Sequence, residues 1–242
     1  MPTSRLEAFS DGVLAIIITI MVLELKVPEG STLHALWHTT GSSLLTYLLS
    51  FVYVGIYWNN HHHMFQLVRE IHGGVLWANL ALLFLLSLFP FTTDWVDETH
   101  FEPTPVVVYG INLLAAGVAY FVLQTLITRQ QGPQSLLRHA IGSDFKGRAS
   151  PVLYLAGILC ALLIDRGGRY GAAIGEGFFI VVAIMWVVPD RRIERVIRDR
   201  ELPRYGAAAG VAGPDLHRDR GQPWSRVRGI DARRTWLGPR LS

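Results

Sequence analysis

The chain has 242 residues, half of them hydrophobic and only 17% charged, with a net charge of +3. A mean hydropathy of +0.31 comes from long apolar blocks between short polar segments, whereas a soluble domain is about a quarter charged. The pattern excludes an ordinary soluble enzyme or binding module and predicts an all-α, multi-pass membrane protein.

The first apolar run, FSDGVLAIIITIMVL at residues 9–23, predicts a helix over residues 7–25, about 28 Å long. Only Arg5 precedes it as a charged signal, offset by Glu7 and Asp11. With no small-residue cleavage site following, it reads as an uncleaved span rather than a signal peptide. Pro28 and Gly30 end it. Further spans are expected over residues 43–65, 74–92, 105–127, 149–164 and 170–188, the last stopped by Pro189. Cys160 lies inside the fifth block and is the sole cysteine, so no intrachain disulfide can form. Residues 128–148 form the longest connection, with a short amphipathic helix expected around Ser135–Ile141. No internal repeat is visible within the six spans.

Charge sets the orientation. Residues 190–242 hold 13 arginines against seven acids, a composition that reads as a cytosolic, partly disordered tail able to touch anionic headgroups. If the N-terminus is inside, 19 of 22 basic residues fall on inner segments. Only Lys26, Arg166 and Arg169 are then outside, where Asp94, Asp97, Glu98 and Glu102 crowd one loop. The chain is thus expected to be a six-span domain at residues 1–189 followed by the tail at 190–242, in the cell membrane with both termini cytosolic. Trp37, Trp95 and Trp186 fall near span ends, as interface anchors do. The outer acids stand where they would gather cations, although a solvated loop is the better explanation of them.

Asp11 sits at the head of the first apolar run, where burial in lipid would cost about 2.5–3.5 kcal/mol or more. With Ile16 at zero and about 100° per residue, Ile20 falls near +40°, Leu23 near −20°, Gly12 near −40°, Thr19 near −60° and Asp11 near −140°. The carboxylate and the apolar stripe cannot share a surface. One faces the protomer interior and the other faces lipid or a partner. The same membrane level brings WNNHHH (58–63) and WAN (77–79) together. Asp11 is therefore expected to point into its own bundle and accept from His61, Asn79 or Trp58, with Ser10 and Arg5 completing a polar cluster. Three consecutive histidines diverge by about 100° each and cannot chelate one ion alone, so no metal site is expected. Proton sensing by this triplet is the sharper reading, and a structural cluster the plainer one.

Arg5, Phe9, Ser10 and Asp11 form RxxxFSD, followed by WNNHHHMF, WANL and LFPFTT. On these motifs, which cover residues 5–95, the sequence resembles the potassium channels of the transmembrane-protein-175 family, whose animal members act in endosomes and lysosomes. Residues 100–190 match only by hydropathy. The animal proteins look like two six-helix repeats in one chain, assembled as dimers. A single repeat resembles the prokaryotic members, and so implies a homotetramer with helix one lining the pore. No TVGYG stretch is present, so a carbonyl filter of that kind is unavailable. The resemblance implies an apolar constriction at Ile16, Ile20 and Leu23, a cation-preference position at Thr19, and a helix-one network of Arg5, Phe9, Ser10, Asp11, Trp58, His61 and Asn79.

The function so implied is a passive, leak-type, potassium-preferring channel with potassium ions and the bilayer as partners, and no cofactor, metal, nucleic acid or enzymatic activity. The rival is a secondary transporter or proton-coupled carrier, for which Asn112 and Glu176 are the isolated candidates and no span shows a central Gly or Pro interruption. A membrane enzyme would need converging nucleophile or metal groups that the histidines do not supply.

Overall fold

Nothing at Thr3–Glu7 opposes a helix, so the first helix opens ahead of its apolar run: α1 spans Thr3–Leu23. This computed structural model describes residues 3–68, 71–132, 137, 145–164 and 168–187. The remaining helices are α2 (Leu33–Gln66), α3 (Gly73–Ser87), α4 (Phe89–Glu98), α5 (Pro103–Gln131), α6 (Phe145–Leu163) and α7 (Arg169–Val187). Among the described residues six stretches are long and apolar enough to cross a membrane, α3 and α4 forming one of them. The all-helical, six-span expectation holds. The amphipathic helix expected at Ser135–Ile141 lies outside the described residues except for Leu137, which is buried. The tail at 190–242 lies outside them entirely.

Two expectations need correction. The second helix begins at Leu33, not at residue 43. Its start is capped by the Thr32 hydroxyl, which accepts from the Ala35 N–H at 3.1 Å. The polar residues of LHALWHTT end the membrane span but not the helix. With 34 residues, α2 runs about 51 Å and must project beyond an apolar layer of about 30 Å.

The third span is longer than residues 74–92 and runs Gly73–Glu98, with one break in its hydrogen-bond ladder. The chain breaks at Leu88, between α3 and α4, because Pro90 has no N–H to continue the ladder. Beyond the break the ladder resumes, with the Leu88 carbonyl accepting from both the N–H and the hydroxyl of Thr92 at 3.0 Å each. Leu88 itself keeps right-handed helical torsions, and Gly73–Glu98 still reads as one membrane span.

Packing follows membrane rules, in which close approach replaces the hydrophobic effect. The tightest pair is α6 against α7. A Cβ on Gly175 would stand 2.8 Å from the Gly157 carbonyl oxygen, and one on Gly157 would stand 3.0 Å from that of Gly175. These two glycines let the backbones touch. In the centre, the Phe89 ring meets Tyr53, Tyr57 and Tyr109 edge-on at 6.4 Å each. Tyr109 continues the stack to Phe179 at 6.0 Å.

At the end of the bundle where α1 finishes, the acids expected to gather cations are largely engaged. Lys26 pairs with Glu98 at 2.5 Å and Arg169 with Glu102 at 3.1 Å, while Ser43 donates to Asp97. The hydrogen bond that Lys26 donates to Glu98, reinforced by the carboxylate charge, holds the Lys26 ammonium above its ordinary pKa. These contacts bring the α1–α2 and α4–α5 connections and the start of α7 together.

Candidate functional site

The two faces of α1 are sharply different. Leu6, Ser10, Leu14, Ile17 and Met21 are buried, a helical stripe centred about 120° from Ile16. Ile16, Thr19, Ile20 and Leu23 lie on the opposite, open face, with Ile16 58% and Leu23 79% exposed. Gly12 shares that face and has nothing within 4 Å of its Cβ position. The Thr19 hydroxyl donates to the Ile16 carbonyl at 2.8 Å. As a donor already committed, it leaves its oxygen lone pairs directed away from its own helix.

On the buried side a hydrogen-bond chain crosses three helices. His61 Nε2 of α2 and Asn79 Oδ1 of α3 are 2.7 Å apart. Asn79 Nδ2 donates to Ser10 Oγ of α1 at 3.0 Å, and Ser10 donates to the Leu6 carbonyl at 2.9 Å. Asn79 and Ser10 are fully buried, and His61 is nearly so. Since Asn79 Oδ1 can only accept, His61 carries its proton on Nε2. This leaves His61 Nδ1 as a buried acceptor without a hydrogen-bond partner.

Asp11 is not part of this chain. It is half-buried at the border of the two faces and accepts from Trp58 Nε1 at 3.1 Å. Of its three expected donors only Trp58 reaches it, because His61 and Asn79 bond to each other. Ser10, one residue and about 100° away, occupies the inward position assigned to Asp11. Arg5 and Phe9 are also displaced from the expected network. Arg5 is exposed, with no side-chain partner among the described residues, and Phe9 is 52% exposed. Both fall within about 20° of Ile16 on the open face.

The sequence reading missed Glu7 and Gln66. Glu7 Oε1 lies 2.7 Å from His62 Nδ1, and Gln66 Nε2 donates to His62 Nε2 at 2.8 Å. A carboxylate only accepts, so His62 donates to Glu7 from Nδ1, and its ring also stacks on Trp58 at 6.0 Å. The signal for Gln66 was its i+4 spacing from His62. The histidine triplet thus separates by direction: His61 goes to Asn79 and His62 to Glu7. Among the described residues no three His, Cys, Asp or Glu side chains are grouped to hold a metal.

The transporter candidates do not converge. Asn112 donates to Thr92 at 3.4 Å, and Glu176 is buried with Oε1 unpartnered. No hydrogen bond links the two among the described residues.

Three comparisons bear on this arrangement. A family model described as "Endosomal/lysosomal potassium channel TMEM175" matches residues 5–90, the segment that supplies α1, α2 and the α1-facing side of α3. A protein of Chryseobacterium sp. (strain P1-3), named a potassium channel, is 49% identical over 202 residues, covering 82% of this chain and 100% of the relative. The human protein named "Endosomal/lysosomal proton channel TMEM175" is 24% identical over 190 residues, covering 77% of this chain and 36% of the human one. The crystal structure of a lysosomal potassium-selective channel TMEM175 homolog from Chamaesiphon minutus superposes with a TM-score of 0.64 at 29% identity. It covers 78% of this chain and 97% of the other. With a relative matched along its whole length and the same fold in a solved structure, the chain belongs to the TMEM175 family, which is one of ion channels and not of enzymes.

Proposed function

We propose that the chain is a potassium-preferring channel of the cell membrane, with four copies of α1 around a central pore. The observation that carries this reading is the split of α1. Its far face is fixed to α2 and α3 through Ser10, while Ile16, Thr19, Ile20 and Leu23 form a stripe that is exposed among the described residues. The relatives named potassium channels and the potassium-selective neighbour support the choice of ion.

Four stripes facing one axis make an apolar neck, about 10 Å from Ile16 to Leu23. Such a neck opposes a hydrated ion by dewetting, and conduction requires it to widen. Thr19 sits within it and offers hydroxyl oxygens to a partly dehydrated cation. Gly12 leaves the approach below the neck wide. In this reading residues 1–189 are the channel, residues 190–242 are a cytosolic tail, and conduction is passive and leak-type. The end bearing Arg5, Arg129, Lys146 and Arg148 faces the cytosol.

Planar-bilayer recording of the purified chain in a potassium gradient tests the reading. Unitary currents reversing near the potassium equilibrium potential are expected. Electroneutral, saturable flux without unitary events would instead identify a transporter. The human relative's name makes protons the second permeant to examine, and a pH gradient at symmetric potassium separates the two.

A further inference from the structure

A cavity of about 250 Å³ lies away from the α1 stripe, in the seam where α2 approaches α5 and α6. Its walls are apolar: Ile56 and Tyr57 from α2, Leu114 and Val118 from α5, Pro151 and Tyr154 from α6. Val118 and Phe121 on its rim are 49% and 60% exposed, so the cavity opens through the outer surface of the bundle, where lipid would lie. The seam is held open rather than zipped, bridged by Tyr57 against Tyr120 edge-on at 6.0 Å and by the Tyr120 hydroxyl donating to the Asn60 carbonyl at 3.3 Å. Gly117 keeps one wall bare. A Cβ there would meet only ordinary contacts, at 3.8 Å from Tyr57 and Tyr154.

The cavity has a polar end. Gln124 and Arg148 line it beside Trp186, whose Nε1 donates to Ser150 Oγ at 2.8 Å. Arg148 is exposed and has no side-chain partner among the described residues. Lys146 stands two residues before it, with its ammonium 5.9 Å from the Trp186 ring. These groups lie where α5 and α7 finish and α6 begins, so they share one membrane level. An indole and two cations at that level match the headgroup region, and the apolar walls run from it toward the bilayer centre. We infer that the seam is a binding site for one anionic phospholipid, its phosphate on Arg148 and an acyl chain in the cavity. The charge and the apolar depth fit the two ends of that molecule. A zwitterionic lipid would fill the cavity equally but gain less from Arg148.

The test uses the full-length protein, stripped of lipid in detergent and supplied with phosphatidylglycerol or phosphatidylcholine of equal chain length. Native mass spectrometry counts the lipid retained, and thermal unfolding follows stability. Wild type is expected to retain one phosphatidylglycerol per chain and to gain melting temperature with it more than with phosphatidylcholine. Arg148→Gln, at an exposed position that tolerates change, should weaken phosphatidylglycerol retention about fivefold and abolish the preference. Arg148→Lys should restore most of it. Gly117→Leu, which fills the cavity, should reduce retention of both lipids. Equal retention of the two lipids by wild type would overturn the inference, as would retention unchanged in Arg148→Gln and Gly117→Leu. If the seam is covered instead by another copy of the chain or by its own tail, Gly117→Leu will alter oligomeric state or tail protection from protease while the lipid count stays constant.

Discussion

His61 of α2 and Asn79 of α3 face each other at 2.7 Å, and Asn79 hands the hydrogen bond on to Ser10 of α1. Three helices are thereby locked in one rotational setting. A fully buried Asn in an apolar bundle is stable only when both ends of its amide are engaged, and here they are. The consequence reaches the far side of α1: whatever fixes Ser10 inward also fixes Ile16 outward.

Asn79→Ala removes both bonds at once and leaves His61 Nε2–H without its acceptor. Each orphaned buried group costs about 1–3 kcal/mol. The variant is expected to unfold at a visibly lower temperature than wild type in a detergent melt. Asp11→Asn is the comparison, since Asp11 is half-buried and accepts a single bond from the half-exposed Trp58. It should cost less than Asn79→Ala. The opposite ranking would mean that Asp11 anchors the helix.

The α6–α7 contact gives a second stability prediction. With its Cβ position 2.8 Å from the Gly157 carbonyl oxygen, Gly175→Ala must push the two backbones apart. Overpacking of this kind costs about 1–3 kcal/mol. Gly177→Ala, on the same helix with nothing within 4 Å, should leave the melting temperature unchanged. A melt that separates the two variants checks the packing, and equal melts would refute it.

Much of this was legible before any coordinates. The rotational split of α1 follows from the helical repeat alone, because Asp11 cannot share a face with Ile16. Which polar residue would turn inward was not legible. Ser10 and Asp11 are adjacent, and the choice between them depends on how far α1 is rotated and shifted against α3, which periodicity does not encode. The early start of α2 escaped for another reason: hydropathy reports where a helix enters lipid, whereas the Thr32 cap decides where it begins. Pro90 was in plain view, and its effect on the third span follows from its missing N–H. The roles of Glu7 and Gln66 depended on where His62 points, a direction shared by no simple motif.

Topology can be checked independently of conduction. A reporter placed after Ser242 should be protected from external reagents in intact cells, while a cysteine introduced at Gly30, in the exposed α1–α2 connection, should be labelled from outside. The native Cys160 must first be replaced, since it is only partly buried. Labelling at both positions would overturn the proposed orientation.

The open stripe yields the most direct test of the pore. If Ile16 forms a ring of four side chains, its barrier arises because water is unfavourable against packed hydrocarbon. Ile16→Asn places four amides there, wets the neck, and should raise conductance while weakening discrimination between potassium and sodium. Because Ile16 is 58% exposed in the protomer, the substitution disturbs no packing within the chain. Ile17→Asn is the control, one residue and about 100° round the helix. Ile17 is 3% exposed, so its amide would be buried in the protomer at a cost of about 1–3 kcal/mol. That variant should lose stability and gain no current. Bilayer recording with a detergent melt on each variant reads both quantities. Should Ile16 face lipid instead, Ile16→Asn would insert poorly and gain nothing. A gain in current confined to Ile16→Asn is therefore the outcome that assigns the stripe to the pore.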